Sequence, residues 1–207
     1  MATKRDINNK MNEAKIIGAV SETLKGNKES FREIIRAYER PLYKLALSFL
    51  KNPEEAEDAL QEIFIKVYES LGSFKLGYDF SPWIYTVAMN ELRQIYRGKK
   101  KIKNIANFTQ TNSSEKQETP LESLSADNQP GYINPEENLE KTEERRQVLR
   151  AIESLKENLK EVVILYYLND MSIEEISAIL NIGKENVKSR LHRARKKLKK
   201  ILEGNAT

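Results

Sequence analysis

The chain has no cysteine and a single histidine in 207 residues. Without cysteine there is no disulfide and no thiolate zinc site, a composition that suits a reducing cytosol. A histidine metal site or a Ser-His-Asp triad would have to use His192, which lies inside a run of Lys and Arg. No apolar run approaches the ~18 to 20 residues of a membrane span, so no membrane insertion is expected. The N-terminal Met-Ala-Thr-Lys-Arg-Asp has no apolar stretch behind it and is not expected to be a signal peptide. Glycines are scattered and form no phosphate-cradling loop. From Glu136 to Gln147 the only large apolar residue is Leu139. No coiled-coil seam is therefore visible, and no obligate homo-oligomer is expected. Nothing calls for a metal or an organic cofactor.

What is present is helix and charge. Hydrophobic residues make up 39% and charged residues 32%, which predicts small cores with much solvated helix. Net charge is only +4, yet the C-terminal stretch is strongly basic. That polarity points to an anionic partner at one end of the chain.

Residues Met171 to Leu202 carry the most information. Ser172 and Glu175 have the spacing of a capping box, in which each side chain satisfies a free N–H at a helix start. Ile173, Ile176 and Ile179-Leu180 follow at helical spacing, and Asn181-Ile182-Gly183 suits a tight turn. A second helix is predicted from about Lys184, with Val187, Leu191, Ala194 and Leu198 as its apolar stripe. Its other face holds Glu185, Lys188, Ser189, His192 and Lys196, flanked by Arg193. Gly183 to Leu202 contains nine Lys/Arg and one Glu. A short capped helix, a tight turn and a basic helix form a helix-turn-helix, whose second helix enters the DNA major groove. A solvated charged helix closing a bundle is the plainer alternative.

Upstream, residues 1 to about 11 are polar and expected to fray. A first helix is predicted over about 12 to 25. Phe31, Ile34, Ile35, Tyr38, Leu42, Leu45, Ala46 and Phe49 make a second helical stripe, which Pro41 is expected to kink or break. Asn52-Pro53-Glu54-Glu55 is a helix start, with a capping Asn and Pro at the first helical position. Ala59, Leu60, Ile63, Phe64, Val67, Tyr68 and Leu71 are expected to face inward. Glu54, Glu55, Glu57, Asp58, Gln61 and Glu62 form an acidic outer face. Paired carboxylates can do acid/base chemistry, but no matching base, metal cluster or phosphate loop accompanies them, so an enzyme is not expected. A solvated face, or an interface for a basic partner, remains.

Residues 72 to 82 read as an aromatic loop, and Trp83 opens a helix to about Arg97. Ile84, Val87, Ala88, Leu92 and Ile95 form its inner side; Thr86, Asn90, Arg93 and Arg97 lie on the other. Aromatics beside arginines suit single-stranded DNA, where bases stack on rings and the backbone follows positive charge. Core aromatics with solubilising arginines fit the composition equally well. Residues 102 to 134 are polar and aperiodic, which predicts a flexible linker. A second helical domain is expected over 135–202, with Leu159 to Leu168 as its apolar central helix.

Together these stretches resemble the sigma-70 family of bacterial RNA polymerase sigma factors, and within it the small extracytoplasmic-function (ECF) branch. Phe31 to Tyr43 resembles the start of sigma region 2. Asn52 to Phe64 (Asn-Pro-Glu-Glu-Ala-Glu-Asp-Ala-Leu-Gln-Glu-Ile-Phe) resembles its core-binding motif, and Phe74 to Arg97 its promoter-melting segment. Ser172-Ile-Glu-Glu-Ile and Val187 to Leu198 resemble region 4. The resemblance implies an all-α fold with two small helical domains: a region 2 bundle over 12–101 and the region 4 helix-turn-helix over 135–202. It implies that Asp58, Gln61 and Glu62 dock on the clamp helices of the polymerase large subunit, with the flap as a further contact. Phe80, Trp83, Tyr85, Thr86, Asn90, Arg93 and Arg97 would engage the −10 element, and the loop near Phe74 to Phe80 would hold a flipped base. Lys184, Lys188, Ser189, Arg190, His192, Arg193 and Lys196 would lie on the helix that reads the −35 duplex. Cytoplasmic location and an anti-sigma partner are further implications.

Four positions depart from the family pattern. Lys156 stands where many relatives have Pro, Asn181 replaces a common Gly, Gln94 stands where Asp is frequent, and His192 occupies a variable position. A dimeric helix-turn-helix activator or repressor acting on duplex DNA is the alternative function.

Overall fold

The computed structural model describes residues 4–109 and 146–204, with side chains described over 13–99 and 146–204. The described residues are helical apart from turns and one isolated bridge between Leu76 and Tyr78, so the all-α expectation holds. The chain divides into two compact units, Met1–Glu118 and Thr119–Thr207.

Among the described residues the first unit holds four α-helices: α1 (Lys4–Leu24), α2 (Phe31–Leu50), α3 (Pro53–Ser70) and α4 (Phe80–Thr109). Short 3-10 turns at Lys28–Ser30 and Leu71–Ser73 link them. α2 packs against α1, α3 and α4, and Ile34, Leu42, Leu45, Ile63, Ile84, Met89 and Leu92 are fully buried among them.

Three expectations need correction here. α1 starts at Lys4, not near residue 12. Propagating an existing helix costs far less than nucleating one, so polar residues extend a segment anchored by buried Ile16 and Val20. Pro41 does not break α2, which runs through it to Leu50. An interior proline costs about 3 kcal/mol. Burying one large apolar side chain returns about 1.5 to 3 kcal/mol, and Tyr38, Leu42, Leu45 and Phe49 are all buried around it. α4 starts at Phe80 and runs to Thr109, so residues 102–109, expected as linker, are helical. Gly98 costs only about 1 kcal/mol inside a helix, and Lys99 just beyond it forms an ion pair with Glu55 of α3. The remainder of the expected linker lies outside the described residues.

In the second unit, residues 146–153 are helical and are termed α5. α6 (Glu157–Val163), α7 (Ile173–Leu180) and α8 (Lys184–Gly204) follow. Leu159, Val162, Val163, Ile164 and Leu165 are buried at its centre. The expected single helix over 159–168 instead widens into a π-helical turn at Ile164–Leu168. The Asn169 side-chain amide donates to the Ile164 carbonyl at 3.0 Å, and the Met171 N–H donates to the Leu165 carbonyl at 3.1 Å. These donors take up carbonyls that an ending helix leaves unpaired. Lys160 is buried yet paired, its ammonium lying 2.8 and 2.7 Å from the two carboxylate oxygens of Glu153. Burial pushes its pKa down, and Glu153 opposes that shift.

Candidate nucleic-acid and protein interfaces

In the second unit, the capping box forms as its spacing requires. The Glu175 N–H donates to Ser172 Oγ at 3.2 Å, and the Ser172 N–H donates to Glu175 Oε2 at 2.7 Å. Asn181 takes the left-handed conformation at φ 50° that ends α7. Ser177 Oγ then donates to the Ile182 carbonyl at 2.6 Å, locking the turn to the helix before it. Val187, Leu191 and Ala194 are buried, and α8 packs on α6 and α7.

That packing fixes which face of α8 is outward. Lys184, Lys188, Ser189, His192, Arg193 and Lys196 are exposed, while Arg190 is half-buried. Several of these side chains are already engaged. Lys184 lies 2.9 Å from Glu174 of α7, and Lys188 lies 2.7 Å from Glu185. The Lys184 ammonium holds the Glu174 carboxyl below its ordinary pKa, and Glu185 pushes the Lys188 pKa up. Arg190 Nε donates to Asn186 Oδ1 at 3.0 Å, and Arg193 Nε to the Ser189 carbonyl at 3.3 Å.

On α3, Asn52 Oδ1 accepts the Glu55 N–H at 3.1 Å and sets the start of the helix. Ala56, Ala59, Ile63 and Val67 turn inward, which leaves Asp58, Gln61 and Glu62 exposed on one outer stripe. Tyr68 corrects an expectation: 43% of it is exposed, with its ring edge-on to Phe31 at 5.1 Å. Ile65, 49% exposed, continues the outer stripe. Its spacing from Asp58 and Gln61 (i+7 and i+4) is the signal that would have placed it there.

The expected −10 residues divide in two. Asn90 and Arg97 are exposed and Arg93 half-buried, with Arg93 Nη1 donating to Asn90 Oδ1 at 3.0 Å. Thr86 donates its hydroxyl to the Pro82 carbonyl at 2.8 Å. Trp83 and Tyr85 are half-buried, and Tyr85 lies edge-on to Tyr38 at 6.4 Å. Phe80 is a correction, because it is fully buried and presents no ring surface to a ligand. It is enclosed by Phe74 at 5.1 Å, Trp83 at 5.3 Å and Tyr38 at 5.7 Å. The expectation that the loop near Phe74 to Phe80 holds a flipped base does not name Tyr78, which is 71% exposed, beside Gly77 at φ 102°.

Among the described residues there is no group of three or more His, Asp or Glu placed to hold a metal, and no helix is long and apolar enough to cross a membrane. The arrangement presents three surfaces: an acidic stripe, a polar and arginine-bearing helix, and a basic helix-turn-helix. These surfaces and the helical fold define a DNA-binding protein of the helix-turn-helix class.

Comparison with known proteins narrows the class. Residues 34–102 match Sigma-70 region 2, and residues 145–198 match Sigma-70, region 4. The ECF RNA polymerase sigma factor SigW of Bacillus subtilis is 32% identical over 183 residues, covering 88% of this chain and 94% of its own. The ECF RNA polymerase sigma-E factor of Escherichia coli is 30% identical over 177 residues, covering 85% and 88%. The chain belongs to the ECF group of sigma-70 RNA polymerase sigma factors. Two solved structures share the fold. One is CnrH in complex with the cytosolic domain of CnrY, with TM-score 0.62, 20% identity, and coverage of 92% of this chain and 98% of that one. The other is the sigma factor RpoE of Bartonella quintana in complex with the anti-sigma factor NepR, with TM-score 0.58, 21% identity, and coverage of 84% and 98%. Nothing in these comparisons supports the dimeric regulator.

Proposed function

We propose that this sigma factor divides promoter recognition between its two units and performs no chemistry of its own. The α3 stripe of Asp58, Gln61 and Glu62 docks on the clamp helices of core RNA polymerase. Asn90, Arg93 and Arg97 on α4 follow the −10 strand, with Trp83 and Tyr85 beside them. Phe80 serves as the floor under Trp83. The outer face of α8 reads the −35 duplex, and the second unit also contacts the polymerase flap. The work is cytoplasmic, and an anti-sigma factor is the expected regulator, as in the neighbouring structure of RpoE with NepR.

One observation carries this reading. Each of the three surfaces lies opposite a buried stripe of its own helix, so each is presented outward by the packing itself. The energetics agree: unstacking costs a few kcal/mol per base step, and base–aromatic stacking returns about 1 to 3 kcal/mol per base.

Reconstitution tests it. The purified protein is mixed with bacterial core polymerase, run on gel filtration, and supplied with fragmented genomic DNA for transcription. Co-elution with new discrete start sites is expected. Failure to co-elute, together with tight binding of the protein alone to a palindromic duplex, would replace this reading with the dimeric regulator.

A further inference from the structure

α1 carries none of the three surfaces, yet it reaches the start of the helix that bears one of them. Glu13 is half-buried, and its Oε1 accepts the Phe80 N–H at 2.5 Å. Phe80 is the first residue of α4, so its N–H is one of the donors that a helix start leaves without an intrahelical partner. Ser81, the next residue, is hydrogen-bonded to the buried Tyr38 of α2. Two successive residues of one turn are thus held by two other helices, at the backbone by α1 and at the side chain by α2.

Trp83 and Tyr85 stand at that turn and just beyond it. Trp83 rests on Phe80 at 5.3 Å, and Tyr85 lies edge-on to Tyr38 at 6.4 Å. Both rings therefore take their position from the residues that Glu13 and Ser81 tie down. Asn90 and Arg93 lie about 15 and 20 Å further along, at 1.5 Å per residue, where buried Ala88, Met89 and Leu92 also secure the helix. A helix end without its cap frays over its first turn, which reaches Trp83 and stops short of Asn90. A side chain that meets a ligand has to be held to about 0.5 Å. The ordinary alternative is that Glu13 adds only to the stability of the unit.

We propose that Glu13 is a positioning residue for promoter opening: through the Phe80 N–H it holds Trp83 and Tyr85 where they meet the bases of the opening −10 element. The inference rests on the reading of α4 as the −10 helix.

The test uses holoenzyme assembled with core polymerase, and a promoter recovered by the reconstitution above with 2-aminopurine placed in its −10 element. The fluorescence of that base rises as it unstacks, so it reports the rate of opening. Wild type is compared with Glu13→Ala, Glu13→Gln and Glu13→Asp. Val20→Ala is the control, because it removes buried apolar volume from α1 about 10 Å along the helix from Glu13. Glu13→Ala should slow opening by about tenfold, the scale of one charge-assisted hydrogen bond, and leave core affinity unchanged. Glu13→Gln keeps an acceptor oxygen at the same reach and should recover most of the rate. Glu13→Asp keeps the charge but falls short by one methylene, and should behave as Glu13→Ala does. Val20→Ala should lower the denaturation midpoint and still open DNA at the wild-type rate. Wild-type opening by Glu13→Ala or Glu13→Asp, or equal slowing by Val20→Ala, would overturn the positioning role alone and leave Glu13 as a stabilising cap. Wild-type opening after Trp83→Ala and Arg93→Ala would overturn it together with the reading of α4.

Discussion

The carboxylate of Glu13 accepts the backbone N–H of Phe80 at 2.5 Å, across 67 residues of chain. It caps α4 from α1, a helix whose residues up to about 11 are expected from the sequence to fray. The bond fixes where α4 begins, and with it the direction of Trp83, Asn90 and Arg93. A charged acceptor at a helix start is worth about 1 to 2 kcal/mol. Glu13→Ala should lower unfolding stability by that amount. Trp83 is the only tryptophan and packs on Phe74 and Phe80, so its fluorescence during denaturant unfolding reports on this unit. An unchanged midpoint would show that water caps the helix as well as Glu13 does.

Tyr38 gives the same unit an alkaline limit. Burial raises its phenol pKa well above the ordinary value of 10.0, and a hydrogen bond to Ser81 opposes the shift only in part. The folded state keeps the proton where the unfolded chain releases it. Its contribution is therefore complete below about pH 10 and declines as pH climbs from there toward the raised value. Denaturation followed at Trp83 should show stability falling above pH 10 in wild type and falling less in Tyr38→Phe. Equal slopes in the two proteins would assign the alkaline loss to other groups. Lys160 in the second unit has the opposite sign. Its lowered pKa makes that unit gain stability as pH rises toward 10.5.

Asp58 and Gln61 separate docking from folding. Both are exposed on α3, with the buried Ala56, Ala59 and Ile63 behind them. The double substitution to Ala should change stability by no more than about 0.5 kcal/mol. Loss of an interface hot spot costs at least about 2 kcal/mol, or roughly thirtyfold in affinity. Titration of core polymerase with labelled wild type and variant measures the difference. Retained affinity in a folded variant would remove these residues from the interface.

Periodicity explains why so much of these surfaces was legible. A 3.6-residue repeat states which side of a helix packs, and Ser172 to Glu175 or Asn52 to Glu55 state where it starts. What escaped was set by partners distant in sequence. Phe80 sits in an aromatic loop and reads as a ligand platform, but Tyr38 and Phe74 close over it. The early start of α4 depends on Glu13. The π-helical turn depends on Asn169 and Met171 reaching back to carbonyls that a local pattern does not mark. Lys156 is a milder case. Its φ of −61° is the value a proline ring would impose, so the Pro that the resemblance led us to expect there would keep the backbone in the same conformation.

The ion pairs of α8 rank its lysines and arginines. Each phosphate neutralised adds about 0.9 to the slope of log affinity against log salt. On the proposed reading of α8, Lys184 and Lys188 would meet DNA already bound to Glu174 and Glu185. A phosphate must compete with those carboxylates, so the net gain from each lysine is reduced. Arg193 bonds only to a neutral carbonyl among the described residues and keeps its full charge for DNA. Arg193→Ala should therefore reduce the salt slope of −35 duplex binding by about 1, and Lys188→Ala by clearly less. Glu174→Gln, which releases Lys184, should strengthen binding to unrelated duplex several-fold at low salt and make it more salt-sensitive. Fluorescence anisotropy over a salt series measures all three. Equal slopes for Arg193→Ala and Lys188→Ala would mean that the carboxylates leave their lysines at no cost when DNA arrives.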